Sequence, residues 1–188
     1  NNDFDILCLQ EIKCEEKQLK LPGYISEKYP YRYFNSNKGL TQKKGFSGVA
    51  IFSKSKPLVD HPVPEFDVEG RVKALEYDEF IVVCVYVPNS QNIESVRYDF
   101  RVNLFDKLFQ KYLSELNSIK PIIVCGDFNV VSLPIDYHNF KRFQNKGPCL
   151  YDEERQNFHS YLELGFVDIY RELYPDKIGF TYWSNFCK

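Results

Sequence analysis

Positions 122–131 read IIVCGDFNVV. A four-residue apolar run between Pro121 and Gly126 is too short for anything but a buried strand. It stops at Gly126, and Asp127 and Asn129 follow two residues apart. On a strand, residues i and i+2 point the same way. If the strand continues through this stretch, Asp127 and Asn129 face one pocket and Phe128 packs on the opposite side. The chain must then adopt a fold whose strand ends open onto a working edge, because loops at strand ends are where such folds build sites.

The rest of the chain supplies more strands of this kind. DILCLQ (5–10) reads as a buried strand bounded by charge, and the polar stretch EIKCEEKQL after it has helical character. KGLTQKKGF (38–46) reads as a loop, and SGVAIFSK (47–54) as a short strand in which Gly48 allows close backbone approach. RVKALEYD (71–78) runs straight into EFIVVCVYVP (79–88), which suggests an antiparallel pair ended by Pro88 and Asn89. Val96, Phe100, Leu104, Leu108 and Tyr112 recur every four residues, backed by Phe105, Phe109, Leu113 and Leu116, and predict a helix with one wide apolar face. SLPIDYHNFKRFQNKGP (132–148) reads as a long loop. DEERQNFHSYLELG (152–165) has acids in its first turn and Gly165 at its end, as a helix should. FVDIYRELYP predicts a shorter helix closed by Pro175. No repeat or linker appears, so residues 1–188 are expected to form one domain of α/β class, with strand pairs covered by helices.

Composition narrows the function. The chain has 188 residues, 44% of them hydrophobic, enough for a sizeable core. No run approaches a membrane span, and the first residues lack the basic region of a signal peptide, so no membrane association is expected. Six cysteines are scattered without a C-x-x-C pair, and Cys84 and Cys125 fall inside apolar runs, where a thiol packs as a small hydrophobe. A reduced, intracellular protein follows. The formal net charge of −2 gives no global sign of nucleic-acid binding but leaves room for a basic face.

Four strand or segment ends carry polar or aromatic residues that packing alone does not require: Gln10-Glu11, Tyr86 with Asn89, Asp127 with Asn129, and Tyr182-Trp183. Each has an ordinary explanation when taken singly. Glu11 could be a solvated acid at a helix start, Tyr86 an interface aromatic, GDFN a turn, and Tyr182 and Trp183 core. Together they suit hydrolysis of a phosphodiester. A carboxylate can take a proton from water or bind a hard cation, while a neutral amide donates to a phosphoryl oxygen without competing for that proton. Glu11 would add an oxygen ligand for Mg2+, which takes few protein carboxylates and keeps waters and phosphate oxygens.

In this order, LQEIKC, GFSGVAIFSK, EGRV, YVPN, GDFNV, EERQNF, GFVDIYRELYP and FTYW resemble the exonuclease III-type abasic-site endonucleases of the endonuclease/exonuclease/phosphatase superfamily. LQE and GDFN are superfamily-wide, whereas LQEIKC with YVPN, EERQ and GF-D-YR-LYP resembles the abasic-site branch specifically. The resemblance runs from about Asp5 to Trp183. It implies a four-layered sandwich: two mixed β-sheets packed face to face with flanking helices. It implies a DNA repair nuclease of base excision repair that cuts 5′ to an abasic site and leaves a 3′-hydroxyl, with 3′-5′ exonuclease or 3′-phosphodiesterase activity beside it. The cofactor implied is Mg2+, with Mn2+ as the alternative. The partner implied is double-stranded DNA with abasic sites, acted on by a monomer in the nucleus of a eukaryote or the cytoplasm of a bacterium.

The resemblance also implies roles. Glu11 matches the metal-binding glutamate, Asp127 the aspartate that orients or deprotonates water, and Asn129 the asparagine that steadies the phosphate. Asp127 and Asn129 also stand with Glu11 as metal-site residues. Tyr86 matches the catalytic tyrosine and Asn89 the asparagine that braces the site. Phe46 stands where an aromatic touches the minor groove, Arg71 where a basic residue approaches the DNA backbone, and Asn139 where a loop residue contacts phosphate. Tyr182 and Trp183 match the wall of the pocket for the flipped-out sugar.

The departures shape the expectation. The family's first-strand asparagine and aspartate, a later aspartate and a terminal Ser-Asp-His have no counterpart here. The three histidines, His61, His138 and His159, lie in no such motif. The stretch after Asn89 departs from the family spacing by about one residue. The chain is therefore expected to be a fragment, incomplete at both ends and inactive alone. Two rivals remain open: another phosphoesterase of the superfamily acting on RNA or inositol phosphates, and a non-catalytic DNA-binding remnant.

Overall fold

The structure, a computed structural model, describes residues 3–37 and 45–183. Most of the expected loop at 38–46 lies outside the described residues. The chain falls into two compact units, Asn1–Pro88 with Lys111–Phe128, and Asn89–Gln110 with Asn129–Lys188.

The first unit holds two sheets. One is antiparallel throughout: β1 (Ile6–Gln10) and β2 (Tyr31–Asn35) flank β3 (Val49–Ser53). The other runs β4 (Val59–Asp60), β5 (Val72–Glu76), β6 (Ile81–Tyr86), β7 (Ile122–Asp127), antiparallel except for the parallel pair β6–β7. Among the described residues, only this second sheet is mixed. β2, with the sequence YRYFN, lies where the apolar pattern announces nothing; its aromatics suit a pleated surface.

Alternation along the strands builds the layers. Val49 and Ile51 of β3 meet Leu75, Val82 and Cys84 between the sheets, with Ile6, Cys8 and Tyr86 packed against them. Ala50 and Phe52 face the other way. With Leu7, Leu9 and Phe34 they pack against Leu19, Leu21, Ile25 and Tyr29. Those residues come from the segment holding a 3-10 turn (Glu16–Gln18) and α1 (Gly23–Lys28). β3 is buried on both faces, which explains its unbroken apolar run. Burying each such Val, Ile or Phe contributes roughly 1.5–3 kcal/mol.

β7 departs from expectation. It is the edge strand of its sheet among the described residues, and Ile123 is 49% exposed. Cys84 is buried as expected, whereas Cys125 is exposed. An apolar run marks a strand, but the side it leaves open depends on strand order, which is a long-range property.

The long helix has three parts: α2 (Val96–Asp99), a π-helical stretch (Phe100–Phe105) and α3 (Asp106–Asn117). Ser95 caps its start, accepting from the Tyr98 N–H. The buried face is Val102, Phe105, Phe109, Leu113 and Leu116, while Val96 is 83% and Leu104 48% exposed. The expected every-fourth stripe is thus the secondary one, because strict four-residue spacing drifts around a 3.6-residue helix.

In the second unit, Phe105 stacks on Phe109, whose ring meets Tyr161 edge-on. Tyr161 belongs to α5 (Asp152–Glu163). Within the expected loop lie a 3-10 turn (Pro134–Asp136) and α4 (Phe140–Phe143). α6 (Ile169–Leu173), capped by Asp168, is the expected short helix before Pro175. No helix among the described residues is long and apolar enough to cross a membrane.

Candidate active site

Three strand ends converge in the first unit. Glu11 follows β1, Tyr86 ends β6 and Asp127 ends β7. Tyr86 pairs with Asp127 across the parallel ladder, and the Val87 N–H donates to the Asp127 carbonyl at 2.9 Å. The Tyr86 hydroxyl donates to Glu11 Oε1 at 2.8 Å, and Lys13 Nζ holds Glu11 Oε2 at 2.6 Å. Gly126 is required for close approach rather than for a turn: a Cβ there would strike the Val85 carbonyl oxygen.

Glu11 and Lys13 both have positive φ, 53° and 52°. Non-glycine residues in that region mark a backbone constrained by its surroundings. Here the constraint is visible: the Ile12 N–H donates to the Gly48 carbonyl at 3.2 Å, and the Lys13 N–H to Ser47 at 2.9 Å. Gly48 has φ 92°, and a Cβ on it would stand 2.7 Å from Ile12 Cγ1.

The electrostatics follow. Lys13, and then Tyr86, hold the Glu11 carboxyl below its usual range. Burial, and then the hydrogen bond to Glu11, push the Tyr86 phenol up to about 12. Tyr86 is therefore a donor near neutral pH, and Glu11 is an anion.

Arg71 is placed differently from the sequence expectation. It is 1% exposed, so it does not approach a DNA backbone. Its Nε donates to Glu69 Oε2 at 2.6 Å and its Nη1 to the Tyr86 carbonyl at 2.9 Å. Its guanidinium lies 4.7 Å from the Tyr86 ring centroid and 5.2 Å from that of Phe46. Phe46 thus turns one ring face to Arg71. A lone arginine after Gly70 reads as a surface charge, and only the acid two positions earlier hints at burial.

The second unit holds the remaining candidates. Asn129 has φ 46°, and β7 ends at Asp127, so the strand does not continue through Asn129 and the same-face argument for Asp127 and Asn129 does not hold. Asn129 Oδ1 instead accepts from Asn89 Nδ2 at 3.4 Å and from the Cys149 thiol at 3.6 Å. Asn89 Oδ1 accepts from the Gln91 N–H at 2.9 Å. Phe128 is half-buried rather than packed away. Asn139 is exposed, with φ 59°, before α4. Tyr182 and Trp183 are 80% and 71% exposed, so they are not core among the described residues.

Sequence reasoning missed Asp67, Glu69 and Asn35. Asp67 takes the N–H groups of Glu69, Arg71 and Val72 and the Asn35 side-chain amide, the last at 2.7 Å. The D-x-E-G-R order is the available signal: an acid before a positive-φ glycine is a turn anchored on a carboxylate.

The profile of the Endonuclease/Exonuclease/phosphatase family matches residues 1–187. The chain belongs to this family, in the branch of the abasic-site endonucleases and exodeoxyribonucleases. It is 42% identical over 186 residues to DNA repair nuclease APEX1 of Danio rerio, covering 97% of this chain and 58% of that protein. It is 41% identical over 187 residues to an exodeoxyribonuclease of Bacillus subtilis, covering 97% and 69%. Against Recombination repair protein 1 of Drosophila melanogaster it is 41% identical, over 96% of this chain and 26% of that protein. The chain therefore spans from about a quarter to about two thirds of these relatives. An AP endonuclease structure from Archaeoglobus fulgidus superimposes with TM-score 0.82 at 27% identity, over 98% of this chain and 69% of that one.

The family is one of metal-dependent nucleases. Glu11 fits a hard cation: it is a carboxylate, its side chain 43% exposed, at the open end of the strands. No group of three or more His, Cys, Asp or Glu able to hold a metal occurs among the described residues. A cation at Glu11 would draw its other ligands from elsewhere, as Mg2+ does with water and phosphate oxygens.

Proposed function

We propose that the full-length protein hydrolyses the phosphodiester 5′ to an abasic site in duplex DNA, with Mg2+ as its metal. The convergence of Glu11, Tyr86 and Asp127 at three strand ends carries this reading, in a chain 42% identical to a protein named as a DNA repair nuclease. Asp127 takes a proton from the attacking water. Tyr86, protonated near neutral pH, turns its one O–H from Glu11 to the scissile phosphate when substrate binds, and Asn129, braced by Asn89, donates to a phosphoryl oxygen. Glu11 would hold the metal, with Asp127 and Asn129 as further contributors. A bound metal would polarise the phosphoryl oxygens and lower the barrier to attack.

Phe46 and Asn139 act at the DNA surface. Tyr182 and Trp183, exposed as they are, offer ring faces to the extruded sugar. The continuous match over residues 1–187 supports reading both units as one domain. The reading takes that domain to act as a monomer. The five described cysteines are free thiols, in keeping with an intracellular protein, nuclear in a eukaryote or cytoplasmic in a bacterium.

The test is paired. Full-length protein is incubated with an abasic duplex, with single-stranded RNA and with inositol phosphates, each with and without chelator. Chelator-sensitive nicking 5′ to the abasic site supports the proposal. Preferential turnover of either other substrate favours a different phosphoesterase, and duplex binding without turnover a non-catalytic remnant. The 188-residue chain alone is expected to nick weakly or not at all, since sites fail when part of their shell is missing. Robust nicking by it would refute that expectation.

DNA binding by the full-length protein is also expected to fall steeply with salt. Lys141, Arg142 and Lys146 are exposed, and Lys13 lies beside Glu11. Lys43 and Lys44 lie outside the described residues. Each phosphate neutralised adds roughly 0.9 to the log–log slope. A flat binding curve from low to physiological salt would remove the basic face, and with Arg71 buried, Arg71→Lys should leave the slope unchanged.

A further inference from the structure

The buried pair Glu69–Arg71 touches the Tyr86–Glu11 couple from below, and nothing in the proposed chemistry uses it directly. Glu69 is 5% and Arg71 1% exposed. Two buried charges are costly to keep and need a tight geometry to offset their desolvation. The geometry is tight: Nε to Oε2 is 2.6 Å. Its location is also fixed. Asp67 gathers the backbone N–H groups of both residues, and Gly70 takes φ 71° in a position where a Cβ would stand 2.5 Å from the Ser36 carbonyl carbon.

What this anchored pair holds is Tyr86. The guanidinium plane lies under the phenol ring at 4.7 Å and donates to the Tyr86 carbonyl, while the Tyr86 N–H donates back to the Arg71 carbonyl at 2.8 Å. The phenol hydroxyl then reaches Glu11. A hydrophobic pair would fill the same space at less cost, but it could not grip a carbonyl and a ring face at once. Arg suits this task and Lys does not, since only the planar guanidinium stacks and donates from several nitrogens.

We propose that Glu69 is a positioning residue: by clamping Arg71 against Tyr86 it fixes where the phenol hydroxyl and the Glu11 carboxylate stand. This rests on the reading of Tyr86 and Glu11 as catalytic groups, and it replaces the DNA-backbone role for Arg71.

The experiment uses full-length protein and an abasic duplex. Single-turnover cleavage, duplex affinity and its salt slope are measured for Glu69→Ala and Glu69→Gln, each alone and with Tyr86→Phe. Glu69→Ala should slow cleavage roughly 10²-fold, the cost of misplacing a reacting group by about an ångström. Affinity and salt slope should not change. Glu69→Gln, which keeps an acceptor for Arg71, should recover part of the rate. On the Tyr86→Phe background, Glu69→Ala should add less than about a twofold loss, because the two act through one ring. Full additivity there, or a weaker affinity with the slope reduced by about 0.9, would overturn the proposal.

A readout independent of turnover is the ring signal of 13C-labelled tyrosine, assigned by its disappearance in Tyr86→Phe. It should shift or broaden in Glu69→Ala and much less in Glu69→Gln. An unmoved signal overturns the clamp even if activity falls. If the wild-type protein cuts no abasic DNA, the proposed function fails, and the tyrosine signal still decides whether Glu69 fixes the ring.

Discussion

Asp127→Asn in the full-length protein is expected to lower single-turnover cleavage of an abasic duplex by roughly 10²–10⁴-fold, the range for a lost general base. Affinity for the same DNA should hold or tighten, because the change keeps the shape and removes a negative charge that repels phosphate. Asp127 is the last residue of β7 and pairs with Tyr86 across the ladder. Asn129→Ala is expected to raise the barrier by about 2.7–4 kcal/mol if its amide acts as an oxyanion-type donor. Phe128→Leu should cost less than about 1.5 kcal/mol of stability and little rate, since the ring is half-buried. Rates and affinities for all three variants decide the matter. Near-normal cleavage by Asp127→Asn, or a larger loss from Phe128→Leu than from either polar change, would reduce GDFN to a turn.

The largest expected loss of stability lies in the second unit. Arg101 and Asp106 are each 2% exposed and pair at 2.9 Å. Asn157 Nδ2 donates to Asp106 Oδ2 and to the Val102 carbonyl, both at 3.0 Å, and the Tyr161 hydroxyl donates to Asp106 Oδ1 at 3.4 Å. Asp106 thus ties the long helix to α5. Asp106→Ala strips the anion from a buried guanidinium and leaves two donors facing a void. Breaking a buried pair from one side costs about 3–5 kcal/mol. Urea unfolding of the full-length protein checks this, and a loss below about 1 kcal/mol would mean that water readily replaces the carboxylate. The segment EERQNF marks the family in sequence, and its buried Glu154, Arg155 and Asn157 show that its polar residues serve the core as well.

What was legible in the sequence was local. The short apolar runs of β1, β3, β5, β6 and β7 declared strands, and Gly165 and Pro175 declared helix ends. What was not legible depends on distant partners. Among the described residues β7 is the edge of its sheet, and strand order is something no window of residues encodes. Arg71 looks like a surface charge until Glu69, Asp67 and the rings of Phe46 and Tyr86 close around it. Asn129 seems to share a strand with Asp127 until its positive φ shows that the chain has already turned. The identities of the candidate site residues were readable from their motifs. Their contacts were not, because each is made by residues far apart in the chain.

The π-helical stretch has a consequence for how this chain tolerates changes in length. A π turn holds one more residue than an α turn over the same axial distance. The wide turn at Phe100–Phe105 lies between α2 and α3. An extra residue absorbed there leaves the rotation of the helix beyond it unchanged. Phe105, Phe109, Leu113 and Leu116 keep facing inward, and Asp106 keeps its place beside Arg101. Deleting one residue within Phe100–Phe105 is therefore expected to tighten the wide turn to an α turn while the packed half of the helix stays in register.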